Sequence, residues 1–184
     1  MGIRKSQMVG ILLGLFIICG VGLLVFTDLG AIAGRMAAGG KMLAAGTEAP
    51  DFQLYTAIGR VMKLSQLRGK PVVLGFGTSY CEGCPEAANL LQNLNDNFPQ
   101  LDVVWVSVQE DPNAAGLFAD DLGLTYQIAL DVRGEAAAAY EVDNVYAMPA
   151  LYFLDQNGVI KGAIVEAVDE RQVFRLLESI GVRP

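Results

Sequence analysis

Two cysteines three residues apart are the side chains in this sequence best suited to chemistry. Cys81 and Cys84 form a Cys-Glu-Gly-Cys motif between an apolar run, residues 72–76, and a segment with helical periodicity. Side chains three residues apart on a helix share a face, and a modest adjustment of the first turn brings two such sulfurs within bonding distance. The spacing predicts a reversible disulfide, with Cys81 as the attacking thiol and Cys84 as the resolving thiol.

A helix predicted over residues 81–97 would begin at this pair. Its N-terminus offers unpaired N–H groups and the positive end of the helix dipole, and both stabilise a thiolate on Cys81. Pro85 suits the first helical turn because it has no N–H to leave unpaired. The motif alone is also compatible with a permanently closed structural disulfide or with two reduced, buried thiols.

The composition excludes several other chemistries. The 184 residues contain no histidine, three cysteines, and 20 acidic against 13 basic residues, for a net charge of −7. Without histidine there is no Ser-His-Asp or Cys-His catalysis and no Cys/His zinc site. Nucleic acid is excluded as a partner because the basic residues form no cluster. We therefore predict thiol redox chemistry without a metal or a bound cofactor.

The N-terminal segment predicts a membrane anchor. Residues 8–26 carry no charge, and 19 residues of helix span about 28 Å, close to the hydrocarbon thickness of a bilayer. Arg4 and Lys5 precede the segment, which predicts a cytoplasmic stub and transmembrane helix over residues 1–26 and an exported remainder. The alternative is a cleaved signal peptide ending at Ala33, which sends the domain across the same membrane.

Beyond the anchor, we predict a Gly/Ala-rich tether over residues 27–46 and one α/β domain over residues 47–184. The Asn157-Gly158 pair indicates a hairpin, and Asp169 is a candidate helix cap. The element order predicts a mixed sheet with helices on both faces. Strands are expected at 52–55, 61–63, 72–76, 102–108, 128–130, 150–154 and 159–165, and further helices at 114–121, 135–140 and 169–180.

Four blocks of this sequence carry a resemblance to a known family. Residues 46–52 (GTEAPDF), residues 63–74 (KLSQLRGKPVVL), the Cys81–Cys84 motif and residues 148–155 (MPALYFLD) resemble the TlpA/ResA group of thioredoxin-like proteins. The resemblance implies a thioredoxin-like fold and an extracytoplasmic thiol–disulfide oxidoreductase with a single N-terminal span. It implies exported disulfide proteins as substrates, apocytochromes c among them. A membrane thiol reductase would then have to resupply the electrons.

The same resemblance implies a substrate-binding loop. It predicts a cis Met148–Pro149 bond beside the cysteines, because an X-Pro bond is where a cis peptide costs little. The backbone of Met148 could then pair with an extended substrate segment, and Tyr80, Met148 and Pro149 are the expected substrate-binding residues. Tyr80 stands where family members usually carry Trp. The sequence departs from the pattern at Gly75, where thioredoxins have a buried Asp, and at Ala87, where many relatives have a Glu.

Two other functions remain open at this point. A peroxiredoxin-like thiol peroxidase is compatible with Thr78, three residues before Cys81, although Leu74 stands where the peroxiredoxin motif has proline. A non-catalytic thioredoxin-fold binding module would keep the disulfide permanently closed. Reduction or isomerisation of protein disulfides is our leading prediction, and the residues do not fix whether the same pair could run as an oxidant.

Overall fold

The fold is built on a mixed sheet of seven strands. The computed structural model describes residues 42–142, 144–166 and 168–183. The strands are β1 (Gln53–Thr56), β2 (Val61–Lys63), β3 (Val72–Gly77), β4 (Asp102–Val108), β5 (Gln127–Asp131), β6 (Ala150–Leu154) and β7 (Ile160–Val165). The helices are α1 (Cys84–Asn97), α2 (Pro112–Asp121), α3 (Glu135–Ala139) and α4 (Glu170–Ser179), with 3-10 turns at Leu64–Leu67 and Val145–Ala147. The order of strands and helices along the chain is the one predicted.

Strand pairing places several chain segments at one edge of the sheet. The seven strands lie in the order β2-β1-β5-β4-β3-β6-β7. β3, β4 and β5 are parallel, whereas β6 runs antiparallel to β3. The C-terminal ends of β3, β4 and β5 therefore meet the N-terminal end of β6, and we call this the Cys81 edge.

Helices cover both faces of the sheet, as predicted. On one face, Leu91 of α1 lies over Gly75 and Leu176 of α4 lies over Gly162. On the other face, the Tyr140 ring after α3 lies 4.9 Å from the ring of Phe76. Burial on both faces explains why β3 is an unbroken apolar run in the sequence.

The start of α1 corrects the prediction. The helix was expected from residue 81, but it begins at Cys84, with Gly83 as its N-cap. A helix starting at residue 81 would need the N–H of Pro85 to donate to the Cys81 carbonyl, and proline has no N–H. The first i→i−4 bond instead runs from Ala87 N–H to the Gly83 carbonyl, 3.2 Å. Cys81 therefore lies in the turn before the helix.

The other boundaries agree with the prediction to within two residues, and those of β2, β4 and β6 coincide with it. Asp169 caps α4 as predicted, since its side chain accepts a bond from the Arg171 N–H. The hairpin between β6 and β7 is also confirmed, and Gly158 adopts the positive φ of 79° that the turn requires. The Asp155 carboxylate accepts from the N–H groups of Asn157 and Val159 and closes the turn.

The predicted anchor, with Cys19 inside it, and most of the predicted tether lie outside the described residues. Within the described ranges, no helix has both the length and the apolar character needed to cross a bilayer. Residues 42–46 pack on the domain: Leu43 contacts the core, and the Gly46 N–H donates to the Ile160 carbonyl, 2.8 Å.

Candidate active site

The two motif cysteines form a disulfide at the Cys81 edge. Cys81 and Cys84 have Cα atoms 5.3 Å apart, and the Cys84 N–H donates to the Cys81 carbonyl, 3.2 Å. Cys81 is 5% exposed in the turn between β3 and α1, whereas Cys84 is fully buried in the first turn of α1. Cys81 is thus the less buried of the two cysteines.

Pro149 packs directly on the disulfide turn. The Met148–Pro149 bond is cis, which confirms the expectation from the resemblance. A Cβ on Gly83 would lie 3.3 Å from Cδ of Pro149, so the middle of the Cys-X-X-Cys turn is in contact with the proline ring. The cysteine pair and the proline loop therefore form one site.

Met148 offers less free backbone than predicted. Its N–H donates to the Val145 carbonyl, 3.2 Å, within the preceding 3-10 turn. A substrate backbone cannot use this N–H without displacing that bond, so the Met148 carbonyl is the candidate acceptor for an extended peptide. The Met148 side chain is itself largely buried.

An indole ring lies beneath the buried sulfur. Trp105 is 1% exposed on β4, and a Cβ on Gly77 would lie 2.3 Å from its Cζ2 and 2.5 Å from the Cys84 Sγ. A Cβ on Gly75 would lie 2.7 Å from the Trp105 Cε3. The ring therefore occupies the space that an acidic side chain at position 75 would need, which explains the departure from thioredoxins there.

A buried acid is the component of the site that the sequence reasoning missed. Glu110 follows β4 at the Cys81 edge and is 8% exposed. Its Oε1 accepts from the Ser79 N–H, 2.9 Å, and from the Ser79 hydroxyl. Its Oε2 accepts from the Ser107 hydroxyl, 2.7 Å. Glu110 comes just after β4, a buried strand parallel to β3, and the C-terminal ends of parallel strands lie at the same edge of a sheet. This position in the sequence could have indicated that Glu110 belongs to the site.

Exposed aromatic side chains lie in two segments of the site, directly before Cys81 and in the turn before Met148. Tyr80, a predicted substrate contact, is 67% exposed directly before Cys81. Tyr146 is 83% exposed, and Val145 is 40% exposed, in the 3-10 turn that leads into Met148. Tyr146 was not predicted, although an aromatic residue two positions before the Met-Pro pair could have suggested it.

A buried tyrosine ties the cysteine-bearing helix to the strand beside it. The Tyr126 hydroxyl, just before β5, donates to the Ala88 carbonyl of α1, 3.1 Å. Burial raises the pKa of Tyr126 far above its usual value of 10.0, so this hydroxyl keeps its proton and the bond persists. Tyr126 thereby helps to fix the helix that carries Cys84.

Thr78 has a hydroxyl without a partner in this disulfide state. The residue is 1% exposed, and within the described residues its Oγ1 has no hydrogen-bond partner. Its carbonyl accepts from the Cys81 N–H, 3.5 Å.

Within the described ranges, no group of three or more His, Cys, Asp or Glu side chains could hold a metal ion.

A Cys-X-X-Cys disulfide between a strand and a helix, with a cis-proline packed on it, defines a thioredoxin-fold thiol–disulfide oxidoreductase. The chain belongs to the AhpC/TSA family, whose pattern matches residues 45–163. This membership agrees with the resemblance to the TlpA/ResA group of thioredoxin-like proteins seen in the sequence.

Individual relatives point to the same activity. The chain is 31% identical to the thiol-disulfide oxidoreductase ResA of Geobacillus kaustophilus over 140 residues, covering 75% of this chain and 79% of the relative. It is 29% identical to ResA of Bacillus subtilis over 169 residues, 90% of this chain and 93% of that protein. A crystal structure described as the thiol:disulfide interchange protein DsbE of Chlorobium tepidum superimposes with a TM-score of 0.69 and 25% identity, covering 75% and 98% of the two chains. These similarities support oxidoreductase activity for this chain.

Proposed function

We propose that this protein is an extracytoplasmic oxidoreductase that reduces or isomerises disulfides in exported proteins, with Cys81 and Cys84 as its catalytic pair. The observation that carries the proposal is the contact between Gly83 and Pro149. It joins a redox-active sulfur pair to a loop that an extended polypeptide can use. A disulfide that served only as a structural staple would not require this contact.

Cys81 is less buried than Cys84, and this difference indicates which thiol attacks the substrate first. In the dithiol form, the Cys81 thiolate attacks one sulfur of a substrate disulfide, the other substrate sulfur leaves as a thiolate, and a mixed disulfide forms. Cys84 then loses its proton and attacks the Cys81 sulfur, which releases the second substrate thiolate. The substrate gains two electrons, and the protein is left with the Cys81–Cys84 disulfide seen in the structure.

The substrate surface is formed by the segments on either side of the pair. Tyr80 and Tyr146 present exposed rings, and the Met148 carbonyl is the acceptor for a substrate N–H. Aromatic side chains with one polar group suit contact with varied peptides, because they bury a large apolar area and keep a hydrogen bond. Such a surface fits an unfolded or extended segment around a disulfide.

The location and partners follow from the N-terminal segment and the resemblance. An uncharged stretch over residues 8–26 would anchor the chain in the bilayer and leave the domain outside the cytoplasm. Two thiols supply the electrons, so the reaction needs no bound cofactor, and a membrane thiol reductase would return the pair to the dithiol form. Apocytochrome c is one candidate substrate among exported disulfide proteins, as in the TlpA/ResA group.

A trapping experiment tests the function. In Cys84→Ala, expressed as the full chain in its host, the mixed disulfide cannot be resolved, so covalent adducts through Cys81 should accumulate and dissolve with reductant. Cys81→Ala should give none, and Cys19→Ala should behave like the wild type. If the Cys84→Ala chain is recovered only as a clean monomer, the proposed exchange reaction is wrong.

Location is tested separately on intact cells of the Cys84→Ala strain. A membrane-impermeant reductant first releases the mixed disulfides, and a membrane-impermeant maleimide is then added. Cys81 should be labelled without lysis if the domain is outside the cytoplasm. Labelling that requires lysis of the cytoplasmic membrane would place the domain inside and remove the extracytoplasmic part of the proposal.

One observation favours a thiol peroxidase as the second candidate. The buried Thr78 hydroxyl has no partner within the described residues and could donate to a nucleophilic sulfur in the reduced protein. The purified full chain should be assayed for hydrogen peroxide consumption with thiol reductant. Rapid turnover that is lost in both Cys81→Ser and Thr78→Val would favour the peroxidase over disulfide exchange.

A further inference from the structure

Glu110 is a buried carboxylate that none of the steps above uses. It is 8% exposed, and it receives hydrogen bonds from the Ser79 N–H, the Ser79 hydroxyl and the Ser107 hydroxyl. All three partners donate, and an ionised carboxylate is purely an acceptor. The cluster is therefore matched to a negative charge.

Hydrogen bonds and strand register connect this carboxylate to the chain segments around both cysteines. Ser79 lies two residues before Cys81, so the Glu110 carboxylate holds the segment that leads into the less buried cysteine. Ser107 is the β4 register partner of Gly77, and a Cβ on Gly77 would lie 2.5 Å from the Cys84 Sγ. Register partners project to the same face of a sheet, so Ser107 stands on the side that holds Cys84.

Other acids at this edge differ from Glu110 in their exposure or their position. Glu82, Glu86 and Glu166 are exposed, so water and salt screen their charges. Asp131 is buried, but it ends β5, and its carboxylate accepts from the Ala137 N–H of α3. Glu110 is thus the buried charge bonded directly to the cysteine-bearing segment.

We propose that Glu110 is a positioning residue of the redox pair: it fixes the turn that presents Cys81, and its charge shifts the dithiol–disulfide equilibrium towards the disulfide. A fixed negative charge raises the energy of a nearby thiolate, the more so where little water intervenes. The reduced form becomes less favourable and the protein a stronger reductant. The inference rests on the proposed function, because it assigns a role within that redox cycle.

The test is the equilibrium of the full-length protein, in detergent, against a reduced/oxidised glutathione series. At about pH 8.5, where an ordinary cysteine is half ionised, Glu110→Gln should shift the equilibrium constant towards the dithiol by about three- to tenfold. The alkylation rate of Cys81 at that pH should rise in parallel. Glu86→Gln, the exposed control in the first turn of α1, should move either quantity by less than about twofold.

Two further variants keep the test decisive. Glu110→Asp, which retains the charge, should stay close to the wild type. If Glu110→Gln does not fold, Glu110→Met removes the charge without requiring donors and should give the same shift. A folded, neutral variant with wild-type equilibrium and alkylation rate would overturn the proposal. This measurement needs no protein substrate, so its result is independent of the Cys84→Ala trapping experiment.

Discussion

The Trp105 ring and the Cys84 sulfur meet over Gly77. Both the indole Cζ2 and the Sγ lie within 2.5 Å of the point where a Cβ on Gly77 would stand, so the two atoms are no more than about 5 Å apart. A side chain at position 77 would displace one or both. The absence of a side chain here is what allows the ring and the sulfur to share one space beneath the redox pair.

Gly77→Ala should therefore destabilise the protein. The added methyl would overlap a ring edge and a disulfide sulfur, and overpacking of this kind costs about 1–3 kcal/mol. Urea unfolding should show the loss. Gly116→Ala is the matched control, since its new Cβ would meet nothing within 4 Å and alanine favours the helix by about 1 kcal/mol. Equal stability of Gly77→Ala and the wild type would contradict the packing described here.

Trp105 should report the redox state of the pair. It is the single tryptophan of the chain, and a disulfide close to an indole quenches its fluorescence by accepting an electron from the excited ring. Emission should rise when the disulfide is reduced and fall again on reoxidation. Cys84→Ser, which cannot form the disulfide, should show no change with reductant. Constant emission in the wild type would indicate that the ring and the sulfur are farther apart.

Tyr146 should contribute to substrate turnover without contributing to stability. Its ring is 83% exposed, and surface substitutions usually change stability by less than about 0.5 kcal/mol. Tyr146→Ala should lower kcat/KM for reduction of a protein disulfide by about three- to tenfold, the range of a moderate contact residue. Tyr55→Ala is the control, because Tyr55 is 65% exposed on β1, three strands from β3. A decrease of similar size in both variants would argue against a specific role.

Asp155 should make the stability of the β6–β7 hairpin depend on pH. Burial alone would raise the pKa of Asp155, but bonds from Lys161 and from the N–H groups of Val159 and Asn157 outweigh it and lower the pKa below 3.8. Because the folded pKa is depressed, this stabilisation is present in full above the unfolded value and lost as pH falls through the folded value. Asp155→Ala should cost about 1–2 kcal/mol near neutral pH.

The pH series itself provides the check on that assignment. The free energies of unfolding of the wild type and of Asp155→Ala in urea should differ by a constant amount above about pH 5. The difference should shrink as the pH falls below 3.8. A difference that persists undiminished into acid would show that the carboxylate charge is not what stabilises the turn.

Most of the architecture could be predicted because local patterns and burial agree. β3 and β4 are buried on both faces, so each stands out in the sequence as an apolar run. The turn residue Gly158 adopts a positive φ, as the predicted hairpin requires. The predicted start of α1 is wrong because the spacing of the cysteines favours a start at Cys81, whereas the missing N–H of Pro85 decides where the first helical bond can form.

The site was predicted less completely than the fold, for a different reason. Cys81, Cys84 and Pro149 belong to short sequence motifs, so they could be predicted without the structure. The connection of Glu110 to the site depends on the β3–β4 register, which brings its partner Ser107 beside Gly77. Tyr146 likewise depends on how the 3-10 turn before Met148 exposes it. The sequence could have suggested both positions, but the hydrogen bonds of Glu110 and the exposure of Tyr146 depend on tertiary structure.

Residues 42–46 pack at the end of β6 that is remote from the cysteines. Gly46 is bonded to Ile160, which pairs with Leu154, whereas Pro149 precedes the opposite end of that five-residue strand. Five residues of strand separate the two points by about 15 Å. A domain immobilised through its N-terminal side would consequently leave the disulfide unobstructed, which makes that end the natural position for a surface attachment or a fused reporter.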